Sequence, residues 1–157
     1  MAVDVVTAYD QVRNYKNASA FFWAVHHAVS ALKRIDREIE LGADAVPRRS
    51  ASGRTSGISK PTEAQAMFEL VNVERWLEAK RNERDVLVFV IGCGLEMCEL
   101  VRHVLSDVHG DALEMHYVDQ KTWREVSESL GCSQAHVYEL QHQALQWIDE
   151  KGWQQRQ

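Results

Sequence analysis

The stretch TWREVSESLGCSQAHVYELQHQAL, residues 122–145, decides how the chain is read. Thr122 and Glu125 fit the S/T-x-x-E capping box, in which the hydroxyl accepts from the third helical N–H and the carboxylate reaches back to the cap N–H. Trp123, Val126 and Leu130 recur at steps of three and four, so they share one helix face. Gly131 follows the last apolar position, where a helix end takes a left-handed residue. Ser133 is a side chain that caps a new helix, and Val137, Leu140, Ala144, Leu145 and Ile148 give that helix a buried stripe. Two predicted helices with only a Gly-containing corner between them form the helix-turn-helix pattern, or an ordinary helical hairpin.

The distinction is physical. A short corner fixes the crossing angle and leaves the start of the second helix free to enter a major groove. The outward positions there are Gln134, Ala135, His136, Tyr138, Glu139 and His142. Gln can bond adenine at two atoms and Glu can accept from cytosine N4, while Ser133 and the helix N-terminus can hold a phosphate. Lys121, Thr122 and Arg124 open the first helix, where they are placed to contact phosphate. Against this, residues 111–157 carry eight acids and four bases, so the electrostatic term that usually dominates DNA affinity is weak.

Outward from the hairpin, helical spacing recurs. Residues 3–41 read as helix in one or two pieces. One stripe holds Val5, Ala8 and Val12; another holds Phe22, Val25, Val29, Leu32, Ile35 and Ile39. Asn17 and Ser19 mark the join, with Ser19 as N-cap. GADAVPRRSASGRTSGISKP is a flexible loop by composition. Its Arg48, Arg49, Arg54 and Lys60, with no acid among them, make either a phosphate-contacting arm or a linker kept soluble by charge. Pro61 in the first turn and Thr62 with Gln65 restart a helix, and Met67, Leu70, Val71, Val73, Trp76 and Leu77 give it a broad apolar stripe. VLVFVIGCGLEMCELVRHVL continues it as buried helix, with Gly92 and Gly94 as close-packing points or a kink; a central strand is the rival reading. A break is expected at His109 and Gly110, then a short helix with Leu113, Met115, Tyr117 and Val118. The segments are thus 1–41, an N-terminal helical segment; 42–60, the basic loop; 61–108, a long central helix; and 109–157, the helix-turn-helix.

The totals narrow the function classes. A 157-residue chain with 45% hydrophobic and 26% charged residues suits a globular domain, and a net charge of -5 excludes a uniformly basic DNA coat. Three cysteines without paired spacing fit a reducing compartment. The N-terminus has no signal-peptide pattern. The most apolar run is shorter than the roughly 20 residues a bilayer span takes, so the expected place is the cytoplasm, with no membrane association. Cys93, Cys98, His103 and His109 follow no common zinc spacing, and His26 and His27 read as core-edge residues. No metal, cofactor or catalytic set is expected, hence no enzyme. Trp76, Trp123 and Trp147 read as core, and Trp153 as packing the C-terminus.

LEMHYVDQKTWREVSESLGCSQAHVYELQHQAL resembles the sigma-70 region 4 helix-turn-helix, matching it at Tyr117, Thr122, Val126, Leu130, Gly131, Ser133, Val137 and Leu145. With the loop ending SGISKPTEAQAM, the long helix and the terminal EKGW, residues 30–153 resemble the RinA/ArpU group of phage late transcriptional regulators. The resemblance implies a prophage-encoded activator of late genes, such as those for DNA packaging, that binds promoter DNA and meets host RNA polymerase. It implies that Gln134, Ala135, His136, Tyr138 and Glu139 face the −35 element. In sigma factors those positions are often Arg-rich; here they hold no Arg or Lys.

The expectation is therefore an all-α protein. A helical scaffold with a long central helix carries a projecting C-terminal helix-turn-helix that binds double-stranded DNA. A homodimer through residues 3–41 and 62–106 would double the contacts. Two alternatives stand beside it: a module that docks on RNA polymerase or a sigma factor with little DNA contact, and a small terminase-type packaging subunit.

Overall fold

The computed structural model describes residues 15–44 and 62–152. The stripe of Val5, Ala8 and Val12, the basic residues Arg48, Arg49, Arg54 and Lys60, Pro61 and Trp153 lie outside the described residues. The fold is all-α, with no strand among the described residues. Helix α1 spans Ala18–Asp44 and α2 spans Glu63–Val104. Helix α3 (Asp107–Leu113) runs into a π-helical turn, Glu114–Val118. Then come α4 (Trp123–Leu130), α5 (Gln134–Trp147) and a second π-helical turn, Ile148–Gly152.

Two compact units are present: Met1–Ala31 with Leu87–Gln157, and Leu32–Val86. In the first, α1 is capped by Asn17 rather than Ser19. The Asn17 side-chain oxygen accepts from the Ala20 N–H at 2.8 Å, and Asp149 Oδ1 accepts from the Ala18 N–H at 2.8 Å. Ala18, Phe21, Phe22 and Val25 then bury one stripe against Cys93, Met97, Cys98 and Val101 of α2, spaced as one helix face. The rival strand reading of that segment is set aside by α2, which runs unbroken through it. Gly94 is a close-packing point: a Cβ there would lie 2.8 Å from both Val25 methyls. Each fully buried Phe, Met or Val contributes roughly 1.5–3 kcal/mol.

Leu113, Tyr117, Ala144 and Ile148 belong to the same buried cluster as Phe21 and Met97. The C-terminal hairpin thus shares a core with the first and last parts of the scaffold helices instead of standing off them. Tyr117 keeps its hydroxyl satisfied by accepting from Gln141 Nε2 at 2.8 Å. The chain break falls at Leu105 and Ser106, one turn before the expected His109 and Gly110. Gly110 serves close approach rather than a turn. A Cβ would overlap the Arg102 side chain and sit 2.7 Å from the Cys98 carbonyl oxygen. Arg102 bridges the same join, pairing with Asp111 at 2.8 Å and with Glu99 and Glu114. Cys93 and Cys98 are buried, and burial raises both thiols, Cys93 to about 11, so neither is a ready thiolate.

In the second unit Ile35 and Leu77 are buried. Glu38 meets Lys80 at 2.8 Å and Asp36 meets Arg84 at 2.7 Å. Exposed pairs of this kind contribute under about 1 kcal/mol each, so they set orientation more than stability. A Cβ at Gly42 would overlap the Trp76 ring. Trp76 is nonetheless 40% exposed, against the expectation of a core residue, with Gly42 against its ring and Lys80 Nζ 5.9 Å from the ring centroid. The Thr62–Gln65 box forms as the spacing predicts: Thr62 N–H donates to Gln65 Oε1 at 3.1 Å and Gln65 N–H to Thr62 Oγ1 at 3.4 Å. Among the described residues no helix is long and apolar enough to cross a membrane.

Candidate nucleic-acid interface

The hairpin is built on its own small core. Ala112 of α3, Val126 of α4, and Val137 and Leu140 of α5 form a buried cluster, with Met115, Trp123, Leu130 and Cys132 packed on it. The corner follows from its residues. Thr122 Oγ1 accepts from the Glu125 N–H at 3.3 Å, and Glu125 Oε2 accepts from the Thr122 N–H at 2.7 Å. That backbone bond, with the Thr122 hydroxyl's own 3.0 Å bond, holds the Glu125 carboxyl below its ordinary range. Gly131 closes α4 at φ 66°, ψ 32°, a left-handed conformation that suits glycine. Its N–H and that of Cys132 both donate to the Ser127 carbonyl. Ser133 then caps α5, its Oγ accepting from the His136 N–H at 3.2 Å.

This arrangement leaves the sequence-identified residues at the start of α4 and along the outer side of α5. Ser133, Gln134, Ala135, His136, Tyr138, Glu139 and His142 are all exposed. Thr122 and Arg124 are exposed too, while Lys121 is half-buried. The electrostatics are muted. Arg124 Nε lies 3.1 Å from Glu128 Oε1, and His136 Nδ1 lies 3.6 Å from Glu139 Oε2. No Lys or Arg occurs within α5. Tyr138 packs its ring on Trp123 at 5.2 Å between centroids, so an aromatic pair bridges the outer surfaces of the two helices.

Two side chains that position this face escaped the sequence reading. His116 is buried, stacks on Trp123 at 3.6 Å and 19°, and donates from Nδ1 to the Lys121 carbonyl oxygen at 2.8 Å. A carbonyl only accepts, so the proton sits on Nδ1. The other ring nitrogen, Nε2, is buried without a hydrogen-bond partner. Burial lowers the His116 pKa; the Lys121 bond opposes that and neighbouring His26 adds to it. Gln120 stands at φ 59° and donates from Nε2 to the His26 carbonyl at 3.1 Å and the Ser30 hydroxyl at 2.6 Å. It ties the hairpin's entry to α1. The Gln120 role leaves no local pattern, because its partners His26 and Ser30 are distant in sequence.

No family model matches the chain, and no solved structure matches it. Over 93 residues the chain is 37% identical to the RNA polymerase sigma-B factor of Bacillus subtilis (strain 168), an alignment covering 53% of this chain and 36% of that factor. The chain therefore spans about a third of that relative's length. It carries a region of sigma-70-like similarity within an all-α fold.

Proposed function

We propose that the protein is a DNA-binding transcriptional regulator, an activator of phage or prophage late genes, that reads promoter DNA with the start of α5. The observation that carries this reading is the capped corner at Gly131–Ser133. It presents Gln134, Ala135, His136, Tyr138 and Glu139 together, unburied, at a helix N-terminus. The sigma-B likeness supports the same direction. Ser133 and the free N–H groups of the first turn would take a phosphate, and Gln134 and Glu139 would meet base edges. Lys121, Thr122 and Arg124 would hold the flanking backbone, with the basic arm at Arg48, Arg49, Arg54 and Lys60 adding contacts. No catalysis, metal or cofactor enters this function. Because each protomer brings few cations, two protomers would act together, and host RNA polymerase is the second partner.

A second reading has a specific observation in its favour. The outer surface, where Glu128 pairs with Arg124 and Glu139 lies beside His136, suits a basic protein face better than a phosphate backbone. The hairpin would then dock on RNA polymerase or a sigma factor. Exchanging Gln134→Ala together with His136→Ala separates the two. Under the leading reading the double variant loses DNA binding in fluorescence anisotropy while still co-purifying with polymerase. Unchanged DNA binding sinks that reading. A ring of many subunits in solution would favour the packaging-subunit alternative.

A further inference from the structure

The first part of α2 carries a largely exposed face, whose Trp76 is covered in part by Gly42 and Lys80 of its own chain. Gln65, Phe68, Asn72 and Ala79 recur on that face with Trp76, and all are exposed. Phe68 is 68% exposed and Trp76 40%, fractions that are costly for such side chains if left in water. Glu69 and Arg75 flank the face, and neither is held in an ion pair among the described residues.

We infer that this face is the seat of a second copy of the chain, whose α2 lies antiparallel across it on a two-fold axis through Asn72. In that register a residue some places before Asn72 in one copy faces the residue equally far after it in the other. Phe68 and Trp76 each stand four places from Asn72, so Phe68 of each copy meets Trp76 of the other. Glu69 and Arg75 each stand three places away, so two Glu–Arg pairs form, one on each side of the axis. Gln65 and Ala79, seven places away, close the ends with small or pliable side chains. On the axis the two Asn72 amides face each other, and each offers both a donor and an acceptor. A polar Asn pair at such a position fixes register.

Charge complementarity selects this occupant. A parallel pair would set Glu69 against Glu69 and Arg75 against Arg75, and would leave Phe68 without Trp76. An unrelated apolar partner would need to supply its own matching acid and base. The interface is modest. Two Phe and two Trp, at roughly 150–250 Å² each when wholly covered, place it at the low end of specific interfaces, so the dimer is expected to dissociate on dilution into the micromolar range.

The inference rests on the self-association within the proposed function and not on DNA recognition. Sedimentation of the full chain without DNA, over a dilution series, tests it. The expected result is a reversible monomer–dimer equilibrium. Phe68→Glu should weaken it by roughly tenfold or more, as loss of a central aromatic does. Glu69→Arg alone and Arg75→Glu alone should each weaken the dimer, and the two together should restore it, because only the double exchange re-forms both pairs. All these sites are exposed, and far-UV circular dichroism confirms that each variant folds. A monomer at every concentration, a larger ring, a dimer indifferent to Phe68→Glu, or a double variant as weak as the singles overturns the pairing. A dimer that binds no DNA keeps the pairing and removes the promoter reading; DNA binding by a monomer does the reverse.

Discussion

Gly131 and Gly110 show how two glycines in one motif do opposite work. Gly131 has open space around a would-be Cβ, and only its positive φ demands glycine. Gly131→Ala should cost about 1–2 kcal/mol, the ordinary penalty of a left-handed L-residue, and Gly131→Asn less. Gly110 is crowded by the Cys98 carbonyl, which is backbone and cannot swing away. Gly110→Ala should therefore destabilise by overpacking, about 1–3 kcal/mol. Urea denaturation of the three variants checks the order. His116 supplies a pH effect. Its folded pKa is depressed by burial, so the unfolded chain takes up the proton first. Its contribution is present above the ordinary imidazole value of about 6.5 and is lost as pH falls below it. Glu125, with its carboxyl also depressed, acts only at lower pH. His116→Phe keeps the stack on Trp123 and does not titrate. Its fall in Tm from pH 7 to pH 5 should be smaller than in the parent chain, and an equal fall would clear His116 as the source.

At the scale of the element, the hairpin is held by local chemistry at its caps. Thr122→Ala and Ser133→Ala each remove an acceptor from a helix start, and each should cost roughly 1 kcal/mol. The two differ in consequence. Ser133 also offers its hydroxyl to a phosphate in the proposed complex, so Ser133→Ala should weaken DNA binding beyond what its thermal stability loss explains, whereas Thr122→Ala should act mainly through stability. Melting curves and anisotropy on the same samples distinguish them. The π-helical turn at Glu114–Val118 is an element the residue pattern did not foretell. Asp119 N–H reaches the Glu114 carbonyl at 3.0 Å, widening the turn, and His116 and Tyr117 both come to lie buried. Tyr117 serves the larger core, while His116 props Trp123 and through it Tyr138 on the outer face.

Across the whole molecule, what was legible in the sequence was what is set within a few residues. The stripe of α5, the Thr62 and Thr122 boxes, the left-handed Gly131 and the Ser133 cap follow from spacing and side-chain chemistry and stand in the structure, whereas Met67, Val71 and Trp76 of the α2 stripe lie exposed. What was hidden depends on long-range partners. Asp149 caps the start of α1 from 131 residues away. Gln120 reaches back to His26 and Ser30, and Gly110 answers to Cys98 and Arg102. The same limit explains Trp76: its apolar stripe is visible in sequence, but not that the ring would stay 40% exposed. The exposed end of α5 was legible as a surface, and its six outward side chains are found there. Its chemistry is harder to read, because α5 carries no Lys or Arg to mark a phosphate-facing side. The most direct measurement is a binding selection from random double-stranded DNA, run at about 50 mM and 200 mM salt, between which phosphate-driven affinity falls steeply. The account predicts one enriched motif that survives the higher salt and vanishes with Gln134→Ala and His136→Ala together. Enrichment at neither salt would contradict it.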